Sequence, residues 1–281
     1  MVTYRDYRAD AVDAARAAMI ELTHLLGEYR DDIVVVGGWV PPLLVGESAQ
    51  HVGSTDVDLA LNHMTLTEPG YRSIGKLLAD AAYKQDPNQP FIYRKMVQVR
   101  GKGVEVQVDL LAGEYGGTGK RRRTQRMQDV QPRKARGCDL AFDGPVEVRV
   151  EGTLPNGSAD TVLVRVAAVG PFIAMKGIAL RDRLKEKDAY DIYFLLRSLS
   201  ERAILKSLRG LLNHGLVLES LGIVGEKFAS TSHVGPQHVA DFLEEHDPEE
   251  RSVLVRDVFE RVQGFLSAVN KERGVTPART E

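Results

Sequence analysis

Three acids and a glycine pair are the residues of this chain whose types and spacing could do chemistry. Asp56 and Asp58 flank Val57 in the run Ser54-Thr55-Asp56-Val57-Asp58-Leu59. In an extended segment side chains two apart share a face, so both carboxylates point one way while Val57 and Leu59 point into a core. Two like charges with no Lys or Arg between them repel each other unless a cation sits between them. Such hard oxygen donors suit Mg²⁺, which takes one or two carboxylates together with substrate phosphates. A third acid, Asp109, ends the run Val106-Gln107-Val108-Asp109. There Val106 and Val108 share one face, and Glu105, Gln107 and Asp109 the other.

The elements around these residues are legible from hydrophobic period and turn chemistry. Val12, Ala15, Met19, Leu22 and Leu26 recur at helical spacing, which predicts a helix over 9–29. The β-branched run Ile33 to Val36 is a buried strand stopped by Gly37-Gly38. Residues 39–45 read as a short helix, because Pro41-Pro42 are tolerated in a first turn. A helix over 69–82 follows the acidic strand. Next comes a hairpin of strands 91–99 and 104–111 around Arg100-Gly101-Lys102-Gly103. A Gly- and Arg-rich loop spans 113–137, and a second hairpin joins 146–150 to 162–166 through Pro155-Asn156-Gly157. From Pro171 the pattern turns helical, with one helix starting at Phe172, another holding Tyr190 to Leu196, and later segments over 203–212, 236–244 and 248–269. A boundary near residue 168 divides the chain into residues 1–168 and 169–281.

Composition narrows the class. With 43% hydrophobic and 27% charged residues among 281, the chain has the make-up of a soluble globular protein of one large or two modest domains. A net charge of −2 excludes a global field for nucleic acid, so such a surface must be local. The lone Cys138 excludes an internal disulfide framework and a cysteine-based zinc site. No signal peptide or apolar run of membrane-spanning length is present, so the expectation is a cytoplasmic protein without membrane association.

A glycine turn after a buried strand, then Asp-Val-Asp, then a lone acid on a neighbouring strand resembles the polymerase-β-like nucleotidyltransferase superfamily. The matching positions are Gly37-Gly38, Asp56, Asp58 and Asp109. The helical half adds Lys176, Arg183 and Lys187-Asp188-Ala189-Tyr190-Asp191, which resemble the K…R…KDxxD pattern of AbiEii-type nucleotidyltransferase toxins of abortive-infection and type IV toxin–antitoxin systems. The family places a small polar residue beside the first glycine, whereas Gly38 and the bulky Trp39 stand here. Hydroxyls from Ser54 and Thr55 would then lie near the phosphates.

The resemblance implies an α+β fold: a polymerase-β-like mixed sheet with flanking helices, followed by a mainly helical C-terminal domain. It implies a Mg²⁺-dependent enzyme that moves NMP from an NTP to an RNA 3′ end, plausibly of tRNA, as the toxin of a pair whose partner is a cognate antitoxin. Asp56, Asp58 and Asp109 would hold the metal, and Lys176 would act beside them on the triphosphate. Gly37, Gly38, Ser54, Thr55, Lys187, Asp188 and Asp191 would bind the nucleotide. The fold does not fix the acceptor, so an antibiotic-like small molecule or a protein hydroxyl is the alternative, and a nucleotide- or partner-binding module with a dead site is the reading from a different class. Lys120 to Arg126 and Arg133 to Arg136 hold eight basic residues. They make Arg121, Arg122, Arg123 and Arg126 the candidate RNA-backbone contacts, which would weaken steeply with salt. His51 and His63 flank the acidic strand and read as structural.

Overall fold

The computed structural model describes residues 2–46, 50–66, 72–114, 124 and 126–275, the Asp182 side chain excepted. The chain forms two compact units. One comprises Tyr7–Gly46 and Val52–Ala168 and holds the sheet. The other comprises Met1–Asp6, Glu47–His51 and Val169–Glu281 and is helical.

The strands of the sheet unit are β1 (Ile33–Val36), β2 (Asp56–Leu61), β3 (Lys84–Gln85), β4 (Ile92–Val99), β5 (Lys102–Ala112), β6 (Arg133–Lys134), β7 (Val146–Thr153) and β8 (Ala159–Val166). Among the described residues they lie in the order β3-β4-β5-β2-β1-β8-β7, with β6 on β5 beyond the end of β4. The pairs β1–β2, β4–β5 and β7–β8 are antiparallel, whereas β1–β8, β2–β5 and β5–β6 are parallel, so the sheet is mixed.

One face carries the core. Val57, Leu59 and Leu61 of β2, Val106, Val108 and Leu110 of β5, Ile33 and Val35 of β1, and Val162 and Val164 of β8 are buried in one cluster. Helix α1 (Ala9–Leu25) packs against β4, β5, β7 and β8. Its buried Ala14, Ala15, Ala17 and Ala18 let the backbone approach the sheet, while Met19, Ile20 and Leu22 fill the space beside them. Each aliphatic side chain fully buried this way contributes roughly 1.5–3 kcal/mol. Strand alternation then forces Asp56, Asp58, Gln107 and Asp109 onto the other face.

The local differences from the sequence reading have physical reasons. The first helix stops at Leu25, and the chain continues as 3₁₀ turns over Gly27–Asp32. The helix expected over 69–82 is α3 (Ile74–Asp80); residues 69–71 of that span lie outside the described residues. Ser73 caps it, and the distant Asp129 also accepts a hydrogen bond from the Gly75 amide at 2.9 Å. The β4–β5 hairpin turns on Arg100 and Gly101 alone, with φ of 51° and 78°, the left-handed pair that matches the twist of two-residue hairpins. Gly37–Trp39 forms a 3₁₀ turn leading into the short helix α2 (Val40–Val45).

The helical unit contains α4 (Val169–Asp182), α5 (Glu186–Ser198), α6 (Glu201–Leu208), α7 (Gly215–Lys227), α8 (Val234–Phe242) and α9 (Pro248–Glu272). Helix α4 packs on α5, α6 and α7, and α5 packs on α8 and α9. Helix α7 has no counterpart in the sequence reading: Gly215, Gly222 and Gly225 weaken its helical signature. It forms because Val217, Ile223 and Val224 bury against neighbours, and because α4 can approach it at Gly177, where a β-carbon would lie 2.1 Å from Ser220 Oγ. No helix among the described residues is long and apolar enough to cross a membrane.

Candidate active site

The three acids meet because β2 and β5 are parallel neighbours in a fixed register. Asp58 is the register partner of Asp109, and Asp56 that of Gln107, so all four side chains rise from one face. One carboxylate oxygen from each of Asp56, Asp58 and Asp109 lies within 4.8 Å of the other two. All three residues are partly buried. Gln107 Nε2 donates to both carboxylate oxygens of Asp109 at 3.1 Å, and Ser54 Oγ donates to Asp56 Oδ1 at 2.5 Å. Burial pushes the Asp109 carboxyl up; the Gln107 hydrogen bond opposes this and the nearby Asp56 charge adds to it. Three hard oxygen donors converging at this distance fit a divalent cation such as Mg²⁺, which relieves their repulsion.

The glycine turn is shaped around this site. Gly37 has φ of +67°, and a β-carbon built on it would fall 1.8 Å from Asp58 Oδ2, so only glycine lets the two approach. Trp39, 3% exposed, donates from Nε1 to the Asp56 carbonyl at 2.9 Å and so anchors the start of β2. The indole is thus a structural pin, and the hydroxyl of Ser54, itself 3% exposed, orients the Asp56 carboxylate. Thr55 beside it is partly buried. The 3₁₀ turn Cys138–Phe142 packs against β1, β2 and β5. Burial, then the charges of Asp139 and Asp58, push the Cys138 thiol up, which keeps it protonated and unreactive.

The second group of expected site residues lies together in the helical unit. The helix breaks after Asp182, so Lys176 on α4 and Lys187 on α5 do not share one helical face. They converge instead on two acids of α5. Lys176 Nζ is 2.6 Å from Asp188 Oδ1 and 2.7 Å from Asp191 Oδ2, and Lys187 Nζ is 3.0 Å from Asp191 Oδ1. Arg183 donates to Asp188 from Nε at 2.9 Å. His51 Nε2 reaches Asp191 Oδ1 at 3.0 Å, and its ring stacks on Tyr190 and meets Phe194 edge-on. Lys176, Lys187, Asp188 and Asp191 are all buried. Burial alone would raise the Asp191 carboxyl, but Lys176 and Lys187 hold it far below the ordinary range. Burial likewise lowers His51 against the pull of Asp191, which keeps the imidazole neutral. Lys176, Arg183 and Lys187 therefore all bear on these two carboxylates.

Sequence reasoning passed over Gln107 and Trp39, and read His51 only as structural. Gln107 sits two residues before Asp109 on a strand, a spacing that could have found it. His51 carries no such signal, because its partner Asp191 is 140 residues away. Among the proposed RNA contacts, Arg121, Arg122 and Arg123 lie outside the described residues, and Arg126 is exposed.

No protein-family model and no curated protein matches the chain. Among solved structures, an antigenic nucleotidyltransferase-like protein from Paracoccidioides brasiliensis is similar at 13% identity and a TM-score of 0.43, with 87% of this chain and 93% of that one covered.

Proposed function

We propose that the protein is a nucleotidyltransferase that moves NMP from an NTP to the 3′ hydroxyl of an RNA, plausibly tRNA. The observation that carries this is the convergence of Asp56, Asp58 and Asp109 on one sheet face beside the Gly37 cradle. Mg²⁺ held by these carboxylates would supply positive charge to the α-phosphate and the leaving pyrophosphate. Asp109, held by Gln107, takes the proton of the acceptor hydroxyl. The acceptor oxygen forms its bond to the α-phosphorus, the bond to the β-phosphate oxygen breaks, and pyrophosphate leaves. Ser54 and Trp39 hold Asp56 in place from its side chain and its carbonyl.

Gly37, Gly38 and Thr55 are assigned to the nucleotide by the resemblance, as are Lys176, Lys187, Asp188 and Asp191. The toxin role and a cognate antitoxin follow from the same K…R…KDxxD resemblance.

The test is incubation of the purified protein with Mg²⁺, each labelled NTP in turn and total bacterial RNA, beside Asp58→Ala. Label in tRNA-sized RNA with the wild type alone is the expected result. Label in a small molecule or a protein instead would move the acceptor, and no transfer to any of them would overturn the enzyme reading.

A further inference from the structure

The acid face of the sheet carries a cation that the chemistry above leaves unused. Arg133 on β6 is the register partner of Leu111 on β5, two residues beyond Asp109, so its side chain rises on the same face as the acids. Its charge reaches Asp109. The guanidinium lies 5.6 Å from the centroid of the Phe91 ring, a cation–π distance. Its Nε is buried and has no hydrogen-bond partner, and no acid among the described residues pairs with it. A second arginine on this face is different. Arg94, the register partner of Gln107, lies 3.6 Å from Asp86 and 3.5 Å from Glu105, so its charge is already matched.

A buried donor without an acceptor is rare in folded proteins and calls for an explanation. Arg133 is held by the Phe91 ring and by the pairing of its backbone to β5 and to Thr124, not by a carboxylate. Its planar fork is therefore positioned without an ion pair among the described residues, within electrostatic reach of Asp109. That is the condition in which a guanidinium takes a phosphate through two parallel hydrogen bonds.

Strand order says which phosphate. Across the face the order is β1, β2, β5, β6. The Gly37 turn, Ser54 and Asp56 lie at the β1–β2 side; Asp109 and Arg133 lie at the β5–β6 side. We propose that Arg133 grips a backbone phosphate of the acceptor strand and so seats its terminal hydroxyl beside Asp109. This rests on the RNA-acceptor reading above and adds the residue that fixes the acceptor.

The experiment is fluorescence anisotropy of a labelled single-stranded oligoribonucleotide across a NaCl series, with wild type, Arg133→Ala, Arg133→Gln, Arg133→Lys and the surface control Arg149→Ala. Calorimetric binding of each Mg·NTP and thermal melting run in parallel. The Gln variant keeps the bulk of the side chain if the Ala variant does not fold. Loss of Arg133 is expected to weaken RNA binding about tenfold and to lower the slope of log affinity against log salt by about 0.7, one phosphate contact on a single strand. Arg133→Lys should keep the slope, and NTP binding should not change. RNA affinity and slope equal to wild type in the Ala or Gln variant would overturn the proposal, as would a loss confined to NTP binding. If the wild type binds no RNA and labels none, the acceptor reading itself fails, an outcome distinct from a wild type that labels RNA while the Arg133 variants match it.

Discussion

Gly37 and Asp58 are packed so closely that the space of a β-carbon on the glycine is already filled by the Asp58 carboxylate. Gly37→Ala must therefore move a candidate metal ligand, and must also hold alanine at φ of +67°. Displacing the carboxylate by about 1 Å is expected to lower transfer at least a hundredfold, while the left-handed backbone costs about 1–2 kcal/mol of stability. Steady-state transfer and urea unfolding of the same preparation measure the two effects. An alanine variant with full activity would show that Asp58 need not sit where it does.

The acid trio predicts a metal-dependent gain in stability. A ligand at a hundred times its dissociation constant stabilises a protein by about 2.7 kcal/mol. Adding Mg²⁺ should raise the melting temperature of the wild type, and EDTA should reverse it. Asp58→Asn is expected to lose most of this shift, yet to melt no lower than the metal-free wild type, because one of three crowded negative charges is gone. If the asparagine variant keeps the full Mg²⁺ shift, the cation binds elsewhere.

The buried ion network of the helical unit predicts a large penalty for breaking one partner. Lys176 touches both Asp188 and Asp191, each almost fully buried. Lys176→Met leaves those carboxylates under-compensated and should cost about 3–5 kcal/mol. Urea unfolding followed by circular dichroism checks this; a change within about 1 kcal/mol would mean that Arg183 and Lys187 alone satisfy the two acids.

His51 predicts the sign of a pH dependence. Burial lowers its pKa in the folded protein, more than Asp191 raises it. The unfolded chain then takes up the proton first, so the stabilisation is complete above the free value of about 6.5 and declines as pH falls below it. The Asp191 carboxyl, also lowered, acts with the same sign but below about pH 4, outside this window. The wild type should lose more melting temperature than His51→Gln between pH 7.5 and 5.5. Parallel curves for the two proteins would contradict a neutral buried imidazole.

The strands and the helical C-terminal part expected from the sequence are both present, because alternation and helical period are local signals; the mixed sheet, also present, was what the resemblance implied. Val57 and Leu59 against Asp56 and Asp58 state which way each strand faces. The pairing of Asp58 with Asp109 is not local. It depends on two parallel strands whose acids are 51 residues apart, and only the resemblance brought the third acid to the first two. Helix α7 was illegible because Gly215, Gly222 and Gly225 lower its helical propensity, while what holds it, the close approach of Gly177 on α4 to Ser220, is a contact distant in sequence. The sequence reading assigns Lys176 and Lys187 to the nucleotide, but their burial against Asp188 and Asp191 was not legible, since nothing in a sequence tells a buried cation from a solvated one.

The parallel strand pairs also set an order in time. β1, which leads into the Gly37 turn, is flanked on one side by β2 and on the other by β8, which ends at Val166. A chain emerging from the ribosome can align the first two acids early, but it gains the third only when β5 appears. It completes the support beneath the turn only when β8 has also been made. Contacts this distant in sequence form late and slowly. Latency during synthesis is thus written into the topology: a chain stalled before β5 holds Asp56 and Asp58 without Asp109, and one stalled before β8 lacks the strand beside β1.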